Sequence, residues 1–407
     1  MNFNENLKKY AELIIKVGSN VGKGDIISIG CPVERAEFAR MLTESAYKAG
    51  AKEVVINWVD GQISRLSLEH SPIEVLENIP QYVYDRMESY AVRGQKRIAI
   101  SAEDPELLKG IDPEKLMRYS KAQSEKFQPL RKYSMNDINS WTVVSVPTEA
   151  WAKKVFPNSE DPQKDLWDAI FKTTRVYLDN PVEAWENHLE TLLTKANWLN
   201  EQNFKYLQYK ASNGTDLQIE LPEGHIWTAA SSTNARGERF VPNMPTEEVF
   251  TLPHKDGVNG VVYSSKPLVY NGNVIDEFWL KFENGRVVDF DAKVGKETLS
   301  SIFEKDERGR YLGEVALVPF DSPISNSNIL FYNTLFDENA SCHLAFGKAY
   351  PTTIKNGENM SDEELAEHGV NDALVHEDFM VGTKDLDIVG IKHDGNKVDV
   401  FKNGNWA

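Results

Sequence analysis

Cysteine is nearly absent from this chain: Cys31 and Cys342 are the only two in 407 residues. That excludes a disulfide framework and a thiolate zinc ribbon, and it fits a reducing, cytoplasmic setting. Long apolar runs are missing too. No stretch approaches the ~18 residues that a membrane helix needs. The start of the chain sets Lys8, Lys9 and Lys16 among apolar residues and lacks the apolar core of a signal peptide. Basic charge is scarce beside acid: 45 Lys and Arg stand against 62 Asp and Glu, a formal charge of −17. Nucleic acid is therefore not an expected partner, because phosphate binding needs clustered cations. The acid excess reads first as solubility.

What is present is enough for two domains. The first part alternates strand and helix patterns. Asp25–Ser28, Glu53–Trp58, Arg97–Ser101 and Trp141–Val146 read as strands, with a helix predicted over Val33–Lys48 and ended by Gly50. Asp112-Pro113-Glu114 and Asn180-Pro181 read as helix starts. This alternation predicts a doubly wound, mainly parallel sheet. The loop Gly30-Cys31-Pro32-Val33 has neither Gly-x-Gly-x-x-Gly nor a Walker lysine, so no nucleotide cofactor is expected.

A helix over Val182–Gln202 leads into a second region of different texture. Short strand patterns at Phe204–Lys210, Asp216–Leu221, Val258–Tyr263, Glu277–Phe282 and Arg286–Phe290 are punctuated by Asn213-Gly214, Asn271-Gly272-Asn273 and Asn284-Gly285, all hairpin signals. Helices are predicted near Lys296–Lys305 and Asn339–Ala349, and strands return at Ile388–Lys392 and Lys397–Phe401. The expected organisation is an α/β domain over 1–190 and an α+β domain over 191–407.

Four segments carry chemistry. In His376-Glu377-Asp378, an extended backbone points His376 and Asp378 to one face and Glu377 to the other. Glu338 stands five residues before His343, at the N-terminal mouth of the predicted helix, a position that suits an anion or a metal-bound carboxylate, with N-capping by Glu338 or Asn339 as the plain alternative. Glu314 is a lone acid in the apolar run Leu312–Val318, expensive to bury without a partner. Glu247-Glu248 follow Thr246 and precede Val249-Phe250; a capping box is the plain alternative there, but the acid it needs at position 249 is absent. His70, His188, His225, His368 and His393 lie in unremarkable surroundings, and His254 is ambiguous. Glu248, Glu314, Glu338, His343, His376 and Asp378 together carry too much negative charge for one metal. They suit two divalent cations, of Zn²⁺, Co²⁺, Mn²⁺ or Mg²⁺ type, sharing a carboxylate and a water. Residue types and spacing name no substrate.

At these segments the chain resembles the thermophilic-type metallo-aminopeptidases, the aminopeptidase T, aminopeptidase S and PepS group. The resemblance rests on Asn243–Thr251, Gly313–Val318, Glu338–Tyr350 and His376–Met380, in order, and covers essentially the whole chain. It implies a two-domain, homodimeric, cytoplasmic exopeptidase that removes N-terminal residues from short peptides with a pair of divalent metals. It implies the six ligands above, with Glu314 as the bridge and Glu248 rather than Glu247 as the ligand. It also implies a tyrosine by the metals, Tyr350. On the predicted helix Tyr350 would stand two turns, roughly 10 Å, from His343, which favours contact with substrate over tight ligation. Glu247 is the expected proton carrier. The domain over 191–407 would hold the metals, and the domain over 1–190 would wall the cleft or build the dimer. A phosphoesterase with two metals and a non-catalytic peptide-binding module are the rival readings; the first would want Arg or Lys nearby, and the motifs hold only Lys348.

Overall fold

The computed structural model describes residues 2–102, 104, 106–270 and 273–407. The chain divides into two compact units, one made of Met1–Asn187 and Ser231–Pro245, the other of His188–Ala230 and Thr246–Ala407.

The first unit is built on a four-stranded sheet in the order Glu53–Val59, Ile26–Pro32, Lys96–Ser101, Trp141–Ser145. Every pairing in it is parallel, as the alternation of strands and helices requires. The expected α/β architecture is found. The helix after the first strand begins with a 3₁₀ turn at Val33–Arg35, runs over Ala36–Ala49 and stops at Gly50, whose φ of 107° only glycine adopts readily. Asp112 caps Pro113–Phe127 through the Glu114 amide. Tyr10, Phe38, Trp167 and Phe171 stack into one aromatic core. The segment Ser231–Pro245 is tied back to the sheet by Lys96, a buried ammonium 2.9 Å from Asp25 and 3.2 Å from Glu238. Removing either acid would leave a buried charge under-paired, which is costly.

The second unit holds two antiparallel sheets. The larger joins Phe204–Lys210 and Asp216–Glu220, turned at Gly214, to the hairpin of Asn273–Glu283 and Arg286–Val294, turned at Asn284-Gly285. Asn284 and Gly285 both have positive φ, as a tight hairpin turn demands. Of the third predicted turn, Asn271 and Gly272 lie outside the described residues; Tyr270 pairs with Asn273 across it. The helix at Lys296–Lys305 forms as expected.

The smaller sheet runs His376–Met380, His343–Gly347, Leu312–Leu317, Val249–Thr251, Thr228–Ala229. Here the structure corrects the sequence reading. No helix spans Asn339–Ala349: Glu338–Ala340 is a single 3₁₀ turn and His343–Gly347 is a strand buried at every residue. Nor does Thr246 cap a helix, since the chain runs extended from Glu248 into Val249–Thr251. Among the described residues no helix is long and apolar enough to cross a membrane.

Candidate metal centre

Side-chain alternation on the smaller sheet gathers the site. Ala345 pairs with Glu314 on one side and with Asp378 on the other, so the three share one face. His343 and His376 lie two residues from Ala345 and Asp378, on that same face. Ala345 has only a methyl group, which leaves room for the longer flanking chains to converge.

Glu314 reaches this face because of a β-bulge. Leu312 pairs with Phe346, yet Glu314 pairs with Ala345, one residue out of register. Without the extra residue Glu314 would stand opposite Leu344, on the face of Leu344, Phe346 and Phe379. The bulge re-aims it. Gly313 makes the bulge possible: a Cβ there would lie 2.4 Å from the Gly347 carbonyl oxygen.

The result is two clusters sharing one carboxylate. Glu248, Glu314 and His343 bring their ligand atoms within 4.8 Å of one another, and so do Glu314, His376 and Asp378. His343 Nε2 is 3.2 Å from Glu248 and 3.5 Å from Glu314 Oε1. His376 Nε2 is 3.7 Å from Glu314 Oε2 and 3.6 Å from Asp378 Oδ1. The two oxygens of Glu314 thus face different histidines. Glu338 lies close enough for Asp378, Glu248 and Glu314 all to act on its charge.

The donor set fits divalent cations. Each histidine turns Nδ1 to a backbone carbonyl, His343 to Ser341 at 3.2 Å and His376 to Lys348 at 2.7 Å. A carbonyl only accepts, so Nδ1 carries the hydrogen, and the ring once deprotonated presents its lone pair at Nε2, as a metal ligand must. Each Nε2 faces carboxylate oxygens, so either a proton or a cation sits between them. The separations of 3.2 to 3.7 Å match neighbouring ligands around a cation with bonds of about 2.1 Å. Asp378 Oδ1 is buried with no hydrogen-bond partner.

Protonation reports the same deficit of positive charge. Burial pushes the Glu314 and Glu338 carboxyls above their usual range, Glu338 far above it, and neighbouring carboxylates add to the rise. Burial works to lower His343, but the carboxylates of Glu248 and Glu314 carry it well above its ordinary value. His376 is raised likewise by Asp378 and Glu314 against its burial.

Tyr350 comes from the loop after the His343–Gly347 strand. Its ring is 4.9 Å from the His376 imidazole and 6.3 Å from Phe250. Burial, with Glu314, Asp378, Glu338 and Glu248 nearby, keeps its hydroxyl protonated. With no helix there, the separation of two turns expected from His343 does not apply. Glu247 faces elsewhere than Glu248: its carboxylate lies 3.5 Å from His188 Nε2, which is also 2.8 Å from the Thr246 carbonyl oxygen. Lys348 pairs with Asp372 at 2.9 Å. His254 Nδ1 takes the Asp256 amide at 3.2 Å.

Two neighbours carry no signal in the sequence. Asn339, fully buried, accepts the Glu247 amide at 2.8 Å and donates to Glu338 at 3.3 Å. It ties the segment bearing Glu248 to the one bearing Glu338. His188 stands 59 positions before Glu247, and nothing in the local pattern joins them.

A family model described as thermophilic metalloprotease (M29) matches residues 3–406. The chain belongs to that family. It is 48% identical over 407 residues to aminopeptidase AmpS of Bacillus subtilis (strain 168), covering all of this chain and 99% of that one. Aminopeptidase 2 of Geobacillus stearothermophilus is 47% identical, over 98% of this chain and 97% of its own. The solved structure of wild-type AmpT from Thermus thermophilus superposes with a TM-score of 0.93 at 38% identity, covering both chains in full. A dioxygenase from Pseudomonas putida KT2440, 10% identical with a TM-score of 0.51, shares the fold alone.

Proposed function

We infer that this M29 protein is a metal-dependent aminopeptidase that hydrolyses the N-terminal peptide bond of short peptides. The observation that carries the reading is Glu314, one carboxylate shared by two clusters of three donors. Its relatives named as aminopeptidases match end to end and support the same activity.

Glu248, Glu314 and His343 would hold one divalent cation, and Glu314, His376 and Asp378 the other, with Glu338 completing the set. Two such ions, of Zn²⁺, Co²⁺, Mn²⁺ or Mg²⁺ type with a water between them, supply a polarised carbonyl and a water acidic enough to attack at neutral pH. The protein supplies the rest. Tyr350, protonated and beside the cluster, donates its hydroxyl to the oxygen that gains charge. Glu247, the expected proton carrier, is set against His188 and belongs to neither donor cluster, so a carboxylate of the cluster takes the proton from the attacking water and passes it to the leaving amine. Glu338 and Asp378 receive the substrate's α-ammonium group. A cytoplasmic homodimer belongs to the same reading.

A phosphoesterase fits less well, because the one cationic side chain of the motifs, Lys348, is engaged with Asp372. The deciding experiment uses metal and a blocked peptide. Chelation should abolish release of the first residue, and two equivalents of Co²⁺ or Zn²⁺ should restore it. The N-acetylated peptide should survive intact. Internal cleavage of the blocked peptide, or full activity after exhaustive chelation, would overturn the reading.

A further inference from the structure

The bulge that aims Glu314 is gripped by a side chain from a distant part of the chain. Asn371 is 1% exposed and lies in the loop that leads into the strand His376–Met380. Its amide nitrogen donates to three backbone carbonyls, those of Gly347 at 2.7 Å, Arg308 at 2.9 Å and Tyr311 at 3.3 Å. Two hydrogens serve three acceptors, so the longest bond shares one of them.

These carbonyls surround the bulge. Arg308 and Tyr311 come just before Leu312, which pairs with Phe346 on the near side of the extra residue. Gly347 ends the neighbouring strand, and its amide donates to the Tyr311 carbonyl at 2.7 Å. The Gly347 carbonyl oxygen is also the atom that a Cβ on Gly313 would approach to 2.4 Å. The residue that makes the bulge therefore packs on an oxygen that Asn371 holds. The backbone of the Asn371 loop fastens the other edge. The Asn371 carbonyl accepts the Ala349 amide at 2.8 Å, and the Val375 carbonyl accepts the Lys348 amide at 2.8 Å. Lys348 presents its own carbonyl to His376 Nδ1 at 2.7 Å. Three ligand-bearing stretches, those of Glu314, His343 and His376, thus meet at one side chain and its loop.

The residue type is informative. Among the described residues Asn371 Oδ1 is buried with no hydrogen-bond partner. A buried amide oxygen left unpaired is costly, so the amide is there for its donors. It presents two hydrogens on one uncharged nitrogen, which serine, threonine and aspartate cannot do.

We propose that Asn371 is a positioning residue of the metal centre. By holding the Gly347, Arg308 and Tyr311 carbonyls it fixes the bulge, and through the bulge the aim of Glu314, while its loop sets His376. The proposal rests on the reading of Glu314 as a ligand shared by two cations.

The test titrates the chelator-treated full-length protein with Co²⁺ in a calorimeter and records the visible absorption of the loaded form. Asn371→Asp keeps the shape and, ionised, removes both hydrogens; Asn371→Ser keeps one donor. The control is Ile388→Ala, which truncates a fully buried side chain in the strand Asp387–Lys392, where no candidate ligand stands. Asn371→Asp should weaken Co²⁺ binding at both steps by roughly 10–100-fold, the range for groups that orient metal ligands, and should alter the spectrum. Asn371→Ser should fall between it and the parent. Ile388→Ala should lower the melting temperature and leave affinity and spectrum as in the parent. Two Co²⁺ ions bound by Asn371→Asp with the parent's affinity and spectrum would overturn the proposal. So would an equal weakening in Ile388→Ala, because lost stability alone would then explain it. A parent that takes up no second ion removes the shared-ligand reading, and the proposal with it. If Asn371→Asp does not fold, Asn371→Ser decides by the same comparison.

Discussion

Glu314 and Asp378 stand in one transverse row of the smaller sheet, on either side of Ala345. Two acids so placed repel one another, and both are almost wholly removed from water. The arrangement is stable only with cations or protons between the side chains.

Ala345 should therefore be intolerant of size. Ala345→Val adds two methyl groups between the converging acids, in a strand with no exposed residue. Overpacking of this kind costs about 1–3 kcal/mol in stability. Its larger effect should be on metal: the acids and histidines would be pushed apart. Isothermal titration with Co²⁺ should show much weaker uptake by a variant that still unfolds cooperatively. Uptake equal to the parent would mean that the space in front of Ala345 is not where the ions sit.

The shared carboxylate makes a sharper claim. Glu314→Gln keeps the shape and removes the charge. If Glu314 serves both clusters, the variant should lose affinity at both sites, and turnover should fall with it. Two ions held as tightly as in the parent would contradict the bridge.

Asn339 should act as a positioning residue. Its side chain holds the Glu247 amide and the Glu338 carboxylate at once. Asn339→Asp keeps an acceptor for the amide but loses the donor to Glu338 and adds an acid. Groups that orient metal ligands typically contribute 10–100-fold to metal affinity. Asn339→Asp should weaken Co²⁺ binding on that scale and alter the visible absorption of the Co²⁺-loaded protein. A purely structural role would lower the melting temperature and leave the spectrum of the loaded protein unchanged.

The contrast between legible and illegible parts has a physical basis. The strands of the parallel sheet announce themselves as short β-branched runs such as Glu53–Trp58, and the structure places them at Glu53–Val59 and its neighbours. The candidate donors stand out in the sequence because acids and histidines in apolar runs need a reason to be there, as Glu314 inside Leu312–Leu317 shows. The stretch after Asn339 carries a helix-like pattern yet forms a strand. Its alanines and Leu344 have high helix propensity, but His343–Gly347 has strands on both edges and no exposed face, so long-range pairing decided its form. The bulge at Gly313, the Glu247–His188 pair and the link through Asn339 all depend on residues distant in the chain. No local pattern encodes them.

The metal-free protein should lose stability as pH rises. Six groups around the centre, three buried and three half-buried, bind protons more tightly folded than unfolded. Burial raises Glu314 and Glu338, and takes Asp337 and Glu377 up to about 7. His343 and His376 are raised by their carboxylate neighbours despite burial. For each group the folded state carries more protons than the unfolded chain between its two pKa values, so the stabilisation is complete below the unfolded pKa and drains away above it. Asp337 and Glu377 place that loss between ordinary carboxylate pKa values and about pH 7, and the histidines extend it upward from about 6.5. Denaturant unfolding in chelator should show stability falling from pH 5 to pH 8. Cations replace the protons, so the loaded protein should show a smaller fall. Stability of the chelated protein that rises across this range would refute the account.

Tyr350 offers the cleanest separation of catalysis from structure. Its ring packs at 4.9 Å from His376 and 6.3 Å from Phe250, contacts that Tyr350→Phe preserves. Only the hydroxyl is lost. That hydroxyl stays protonated under burial and the nearby carboxylates, which is the state an oxyanion donor needs. Deleting one such donor typically lowers kcat by roughly 10²–10³, about 2.7–4 kcal/mol in the barrier. The expected result is a kcat reduced on that scale with metal content and KM near those of the parent, because the interaction forms mainly as charge develops in the transition state. If the tyrosine were instead a ligand, metal content should fall with the rate. If it were only a packed aromatic ring, the phenylalanine variant should turn over substrate at nearly the parental rate. Metal stoichiometry and kcat measured on one preparation of Tyr350→Phe distinguish the three outcomes.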